Sequence, residues 1–139
     1  MNLDANAAQA QNQEDSSDNE LDRLEVFDIN DKLLFELIGL KTVLTYAAPG
    51  EDEFDLVVYE TSTGVDFVKV CAEKSTTGIQ SEYAWVDFTY PGLVFLSQSL
   101  IEIKIYGEFY YCDLLRFRDN VTGEVKDIYF EISDFFGKW

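Results

Sequence analysis

The sequence predicts a mainly β (or α+β) fold: an antiparallel meander forming a sandwich or partly open barrel, with one short helix near the start and a disordered N-terminal tail. Three observations carry that expectation. Runs rich in Val, Ile, Tyr, Phe and Thr alternate with polar residues along much of the chain, as half-buried strands require. Turn-forming pairs, Pro49-Gly50, Thr63-Gly64 and Pro91-Gly92, punctuate those runs. The first 22 residues are a different text, with six acids, no base and almost nothing apolar, so they cannot pack a core. The organisation expected is a disordered acidic tail, 1–22, and a single β-rich domain, 23–139. Within the tail, Ala5–Gln13 has fair intrinsic helix propensity.

In chain order, LEVFDI from Leu24 reads as a short strand ended by the turn residues Asn30-Asp31. In the following NDKLLFELIGL the apolar residues Leu33, Leu34, Leu37 and Ile38 take helical spacing. Asn30 or Asp31 can cap a start and Gly39 an end, so a helix of about two turns is predicted there. The segments KTVLTYAA, EFDLVVYETS and VDFVKVCAE then read as a three-stranded meander, with the middle one central. STTGIQSE reads as a turn, and YAWVDFTY as a strand with Ala84, Val86 and Phe88 on one face and Tyr83, Trp85 and Asp87 on the other. GLVFLSQSL reads as a strand, although an apolar run this short also fits a helix. LIEIKIYG is a clearer strand by its alternation.

The last two runs, EFYYCDLLRFR and EVKDIYFEIS, are joined by Asp119–Gly123, a hairpin connection with a glycine for a left-handed position. Pairing Arg118 with Glu124 sets Leu114 against Ile128, Cys112 against Phe130 and Tyr110 against Ile132, one continuous apolar face. A slip of one residue puts Asp113 against Phe130, so the first register is the expected one.

Chemistry is constrained mainly by what is missing. The chain has no His, which excludes Ser-His-Asp and Cys-His nucleophilic sites and His-ligated zinc. Neither of the two common nucleotide-cradling glycine motifs occurs. Cys71 and Cys112 have no CxxC spacing and read as free, buried thiols of a reducing compartment. No cofactor, catalytic or metal-binding residue is assigned. The stretch Glu51-Asp52-Glu53 with Asp55 is the densest carboxylate cluster, but its spacing is not that of a calcium loop. It reads as a solvated turn that protects a sheet from edge pairing. Arg116, Arg118 and Lys126 gather positive charge at the last hairpin, and are expected to pair with Asp119, Glu124 and Asp127 as surface ion pairs.

With 27 acids, 10 bases and a formal charge of −17, direct binding of nucleic acid is disfavoured, because a phosphate backbone is bound by Lys and Arg. An acidic field attracts basic proteins and speeds their encounter; its plain alternative is solubility alone. No signal peptide and no membrane-spanning run is visible, so the expected location is cytoplasmic, with no membrane partner. The functional expectation is a small acidic, non-enzymatic protein-binding protein. It is taken as an inhibitor, an immunity protein or an anti-defence antagonist that mimics nucleic acid and occupies a basic surface on a partner such as a nuclease or toxin. Its candidate contact residues are Glu51, Asp52, Glu53, Asp55, Tyr59, Tyr83, Trp85, Asp87, Tyr111, Asp113, Asp127, Tyr129 and Glu131, acids interleaved with aromatics that supply contact area at low entropic cost. Trp139 is expected to be exposed. The alternatives are a homo-oligomeric assembly component and a β-barrel that binds a small ligand.

Overall fold

A computed structural model describes residues 23–138; the expectations for residues 1–22 and for Trp139 lie outside them. Seven strands and one helix follow in the order β1 (Leu24–Asp28), β2 (Leu33–Tyr46), β3 (Phe54–Thr61), β4 (Asp66–Val70), α1 (Ser75–Thr89), β5 (Leu93–Ile105), β6 (Glu108–Asp119) and β7 (Val125–Glu131). The sheet closes on itself in the order β1-β2-β3-β4-β7-β6-β5. Every neighbouring pair is antiparallel except β4 and β7, which run parallel from Asp66 beside Ile128 to Lys69 beside Glu131. The mainly β fold is as expected. The parallel pair is not a meander step: α1 and the β5–β6 hairpin intervene between its two strands, which is the long connection a parallel pair needs.

Closure is local. β1 pairs with β2 over Leu24–Phe27 and with β5 over Val26–Asp28, whereas β2 and β5 are 14 and 13 residues long. Their outer parts, beyond the reach of β1, each have an edge with no strand partner among the described residues.

Two apolar clusters lie on opposite faces of the central strands. One draws on all seven strands, through Val26, Phe35, Leu37, Tyr59, Phe67, Ile103, Ile105, Cys112 and Tyr129. Phe35 on β2 meets Tyr129 on β7 with ring centroids 5.2 Å apart. Those strands are three places apart in the ring, so the contact crosses its inside. The other cluster lies under α1 and includes Leu56, Val58, Val68, Val70, Leu115, Phe117, Ile128 and Phe130, with Trp85 and Val86 from the helix.

Three local expectations are corrected. Residues 31–39 are not helical. Asn30-Asp31 form the β1–β2 turn, in which the Asp28 carboxylate accepts the amides of Asn30 and Lys32. Phe35 and Leu37 then point inward at strand spacing. Gly39 sits at a break in the β2–β3 register rather than at a helix end. The apolar run fits both periods, and pairing with β1 from Leu33 to Leu37, joined by β3 at Leu37, decides for strand.

Residues 75–89, expected as a turn followed by a strand, form α1. The face it buries carries Ser75, Thr77, Gly78, Ser81, Glu82, Trp85 and Val86, which recur at helical spacing but are mostly small or polar. A search for apolar periodicity passes over such a face. Its small residues let the C-terminal segment approach closely. A Cβ placed on Gly78 would lie 2.5 Å from the Phe135 ring, and Ser75 Oγ donates to the Phe135 carbonyl at 3.0 Å.

The last hairpin takes the slipped register, with Arg118 beside Val125, Leu115 beside Ile128 and Asp113 beside Phe130. The expected pairing of Leu114 with Ile128 fails for two reasons. The observed register lets Arg116 grip Asp127 with both carboxylate oxygens, at 2.8 and 3.0 Å. It also sends Asp113 under α1, where the helix supplies a second carboxyl. The turn itself is as read: the Asp119 amide donates to the Glu124 carbonyl, and Gly123 has φ +79°, a conformation that favours glycine.

Candidate functional site: an acidic cleft and a buried carboxyl pair

The β2–β3 connection, Ala47–Glu53, carries Glu51, Asp52 and Glu53 into solvent, and Asp55 follows on the exposed face of β3. Beside them the end of β4 and the start of α1 contribute Cys71, Glu73, Lys74 and Thr77, and together these residues enclose a shallow cleft of about 410 Å³. None of the five acids is in an ion pair with any described residue. Lys74 is the one cation lining the cleft.

Elsewhere five cations are engaged in ion pairs. Arg116 holds Asp127, and Arg23 holds Glu36 at 2.9 Å. Lys126 does not complete a basic hairpin tip with Arg116. It reaches Asp66 at 3.3 Å and lies over the Tyr90 ring, 4.4 Å from its centroid, while the Tyr90 hydroxyl donates to Asp66 at 2.8 Å. Lys69 meets Glu131 at 3.1 Å and Asp134 at 3.8 Å. Burial opposes the Lys69 charge, but the two carboxylates outweigh it, and the Lys69 pKa lies above its ordinary value.

The thirteen candidate contact residues therefore divide among three environments. Glu51, Asp52, Glu53 and Asp55 stand on one acidic face. Tyr83 and Asp87 are exposed on α1, with Tyr83 edge-on to Phe95. The remaining seven are engaged in the fold. Trp85 is buried edge-on against Phe130 and Tyr90. Tyr59 and Tyr129 pack inside the ring on Phe67 and Phe35, and Tyr111 stacks on Phe136 at 4.4 Å. Asp127 and Glu131 are in the ion pairs above, and Asp113 is buried.

Sequence reasoning missed Glu82. Its residue is fully buried on α1, and neither carboxyl oxygen has a hydrogen-bond partner among the described residues. Burial first, and then the neighbouring Asp113 carboxyl, pushes its pKa up to about 10. Glu82 is thus a neutral acid at pH 7, the state in which a carboxyl can sit in an apolar layer beside another. The signal available in the sequence was the helical spacing that places Glu82 between Gly78 and Trp85; the turn reading of STTGIQSE concealed it. Proton-sharing carboxyl pairs serve some hydrolases, but among the described residues neither Glu82 nor Asp113 lines the acidic cleft or three other surface clefts. In this fold the two carboxyls are buried as neighbours between α1 and β6.

Both thiols are free. Burial raises the pKa of Cys112 well above its ordinary value and that of Cys71 to a lesser degree, which makes both poor nucleophiles. Among the described residues no group of three or more His, Cys, Asp or Glu side chains is arranged to hold a metal. No described helix is long and apolar enough to cross a membrane.

No protein-family model matches the chain, and no curated protein or solved structure is significantly similar to it.

Proposed function

We propose that this chain is a small acidic, non-enzymatic protein-binding protein whose acidic face occupies a basic surface on a partner, in the manner of an inhibitor or immunity protein that stands in for nucleic acid. One observation carries the reading: Glu51, Asp52, Glu53, Asp55 and Glu73 are gathered around one cleft with only Lys74 among them, while five of the chain's ten bases are committed to ion pairs elsewhere. Carboxylates held apart from cations keep their full field, and a partner's Lys and Arg side chains that bind phosphate can bind them in its place. Residues 23–139 alone hold 21 acids against 10 bases, a formal charge of −11. The steering field therefore does not depend on the first 22 residues. Location inside the cell belongs to the same proposal, since a nucleic-acid-acting partner would be met there.

The test is capture from extracts of the native cell at low salt, followed by elution with salt or with DNA. The expected partner is a basic, nucleic-acid-acting protein released by either agent. It should bind much less well to a chain carrying Glu51→Gln, Asp52→Asn and Glu53→Gln. Capture that ignores salt, or that the three amides leave intact, would remove the basis of this reading.

A further inference from the structure

The outer part of β5 is a long uncharged stretch on the surface of a very acidic chain. From Leu93 to Ile101 the sequence is LVFLSQSLI, with no ionisable group. It is paired with β6 along its whole length, but β1 reaches only Ile103–Ile105 on its other side, so the peptide groups along that second edge have no strand partner among the described residues. Every residue from Phe95 to Leu100 is exposed, and thus both faces of the strand are. Phe95, Leu96 and Leu100 are 46%, 39% and 52% exposed.

The other open edge differs. The outer part of β2 carries Lys41, and its ladder with β3 breaks twice, between Leu37 and Gly39 and between Leu40 and Thr42. Charges and bulges are the usual protection of an edge against pairing. The β5 edge has one irregularity, at Phe95/Ser97, and a regular ladder from Ser97 to Ile105. Beside it, Leu34, Leu100, Ile101, Tyr111 and Tyr129, together with the acids Asp28 and Glu102, line a groove of about 690 Å³ that can receive apolar or polar uncharged side chains from an added strand.

We propose that this edge is the interface with a second copy of the same chain, formed by antiparallel pairing of β5 with β5 across a two-fold axis. Charge confines contact between two copies to an edge of this kind. Two chains of formal charge −17 repel each other wherever their acids meet, but in any antiparallel register that keeps the pairing within Leu93–Ile101, serine, glutamine and apolar residues face only one another. A two-fold axis also makes the pairing self-complementary and closed, which limits it to a dimer. Pairing supplies the unmade backbone hydrogen bonds and covers the exposed aliphatic side chains. This interface is separate from the acidic cleft, and its salt dependence has the opposite sign: screening weakens capture of a basic partner and strengthens association of two acidic copies.

The experiment is sedimentation equilibrium of the full chain across a concentration series at low and high salt, with amide hydrogen exchange of the same samples. Dimerisation that tightens with salt, together with slowed exchange at Ser97–Ile101, is the expected result. Gln98→Glu, which adds one acid on the edge without changing side-chain size, should weaken association at least tenfold at low salt. Gln80→Glu, which adds the same charge on the exposed side of α1, should leave it nearly unchanged. Melting curves confirm that both variants fold. A chain that stays monomeric at high salt, or a dimer that the two variants weaken equally, overturns the proposal.

Discussion

Replacing Glu82 by Gln should make the protein more stable at neutral pH, by an amount that grows with pH. In the unfolded chain a glutamate gives up its proton near pH 4.5, whereas in the folded chain Glu82 keeps it up to about pH 10. Between those limits the native state binds one more proton than the unfolded state, so this residue alone lowers stability by about 1.4 kcal/mol per pH unit as pH rises. The accumulated cost is about 0.8 kcal/mol at pH 5 and about 3.4 kcal/mol at pH 7, which is a large share of an ordinary domain's stability. Glutamine keeps the shape of the protonated acid and carries no charge beside Asp113, but it does not titrate. Urea unfolding of both chains at pH 5, 6, 7 and 8 measures the difference directly, and the contributions of all other groups cancel in it. The stability gap should widen by about 2.5 kcal/mol between pH 5 and 7. A gap that stays constant across that range would show that Glu82 is ionised in the folded protein, and the account of the α1–β6 contact would fall with it.

The register of the last hairpin has its own test. Leu115 is fully buried and Leu114 only partly so; Leu115→Ala should therefore cost about 2–5 kcal/mol of unfolding free energy and Leu114→Ala clearly less, and the reverse order would restore the unslipped pairing. Gly78→Ala should lower the melting temperature despite alanine's better helix propensity, because the added methyl meets the Phe135 ring; an overpacking cost of about 1–3 kcal/mol is expected, and an unchanged or higher melting point would refute the close approach. Cys112 should resist a thiol reagent in the native protein and react once the chain is unfolded, with Cys71 the faster of the two at any pH; rapid native labelling of Cys112 would contradict its burial.

Where the sequence was legible, it was so for a physical reason. The alternation in β3, β4 and the Ile101–Ile105 part of β5 is written in the side chains, because a sheet face either meets a core or meets solvent. The turn at Asp119–Gly123 is likewise a local matter, since its conformation depends on a few residues. At the acidic cleft, the cluster Glu51–Asp55 could be read directly, but not its approach to Glu73, which sits on the connection after β4. Trp85, Tyr59 and Tyr129 read as surface aromatics because they alternate with more apolar neighbours. Trp85 turned out to face the sheet from α1, and both faces of the strands that carry Tyr59 and Tyr129 to be covered, one by α1 and the other by the closing of the ring.

By itself the sequence determined the β-rich character, the turns, the excess of acid and the absence of histidine chemistry, all of which follow from the residues at each position. Tertiary structure decided the rest. It turned Leu33–Ile38 into strand by pairing it with β1, with β3 joining at Leu37, and it turned a stretch of small and polar residues into α1 by packing them against Phe135 and the sheet. It also slipped the last hairpin so that Asp113 could face Glu82. A buried carboxyl is costly or tolerable according to what stands opposite it, and what stands opposite Asp113 comes from a helix 31 residues earlier in the chain.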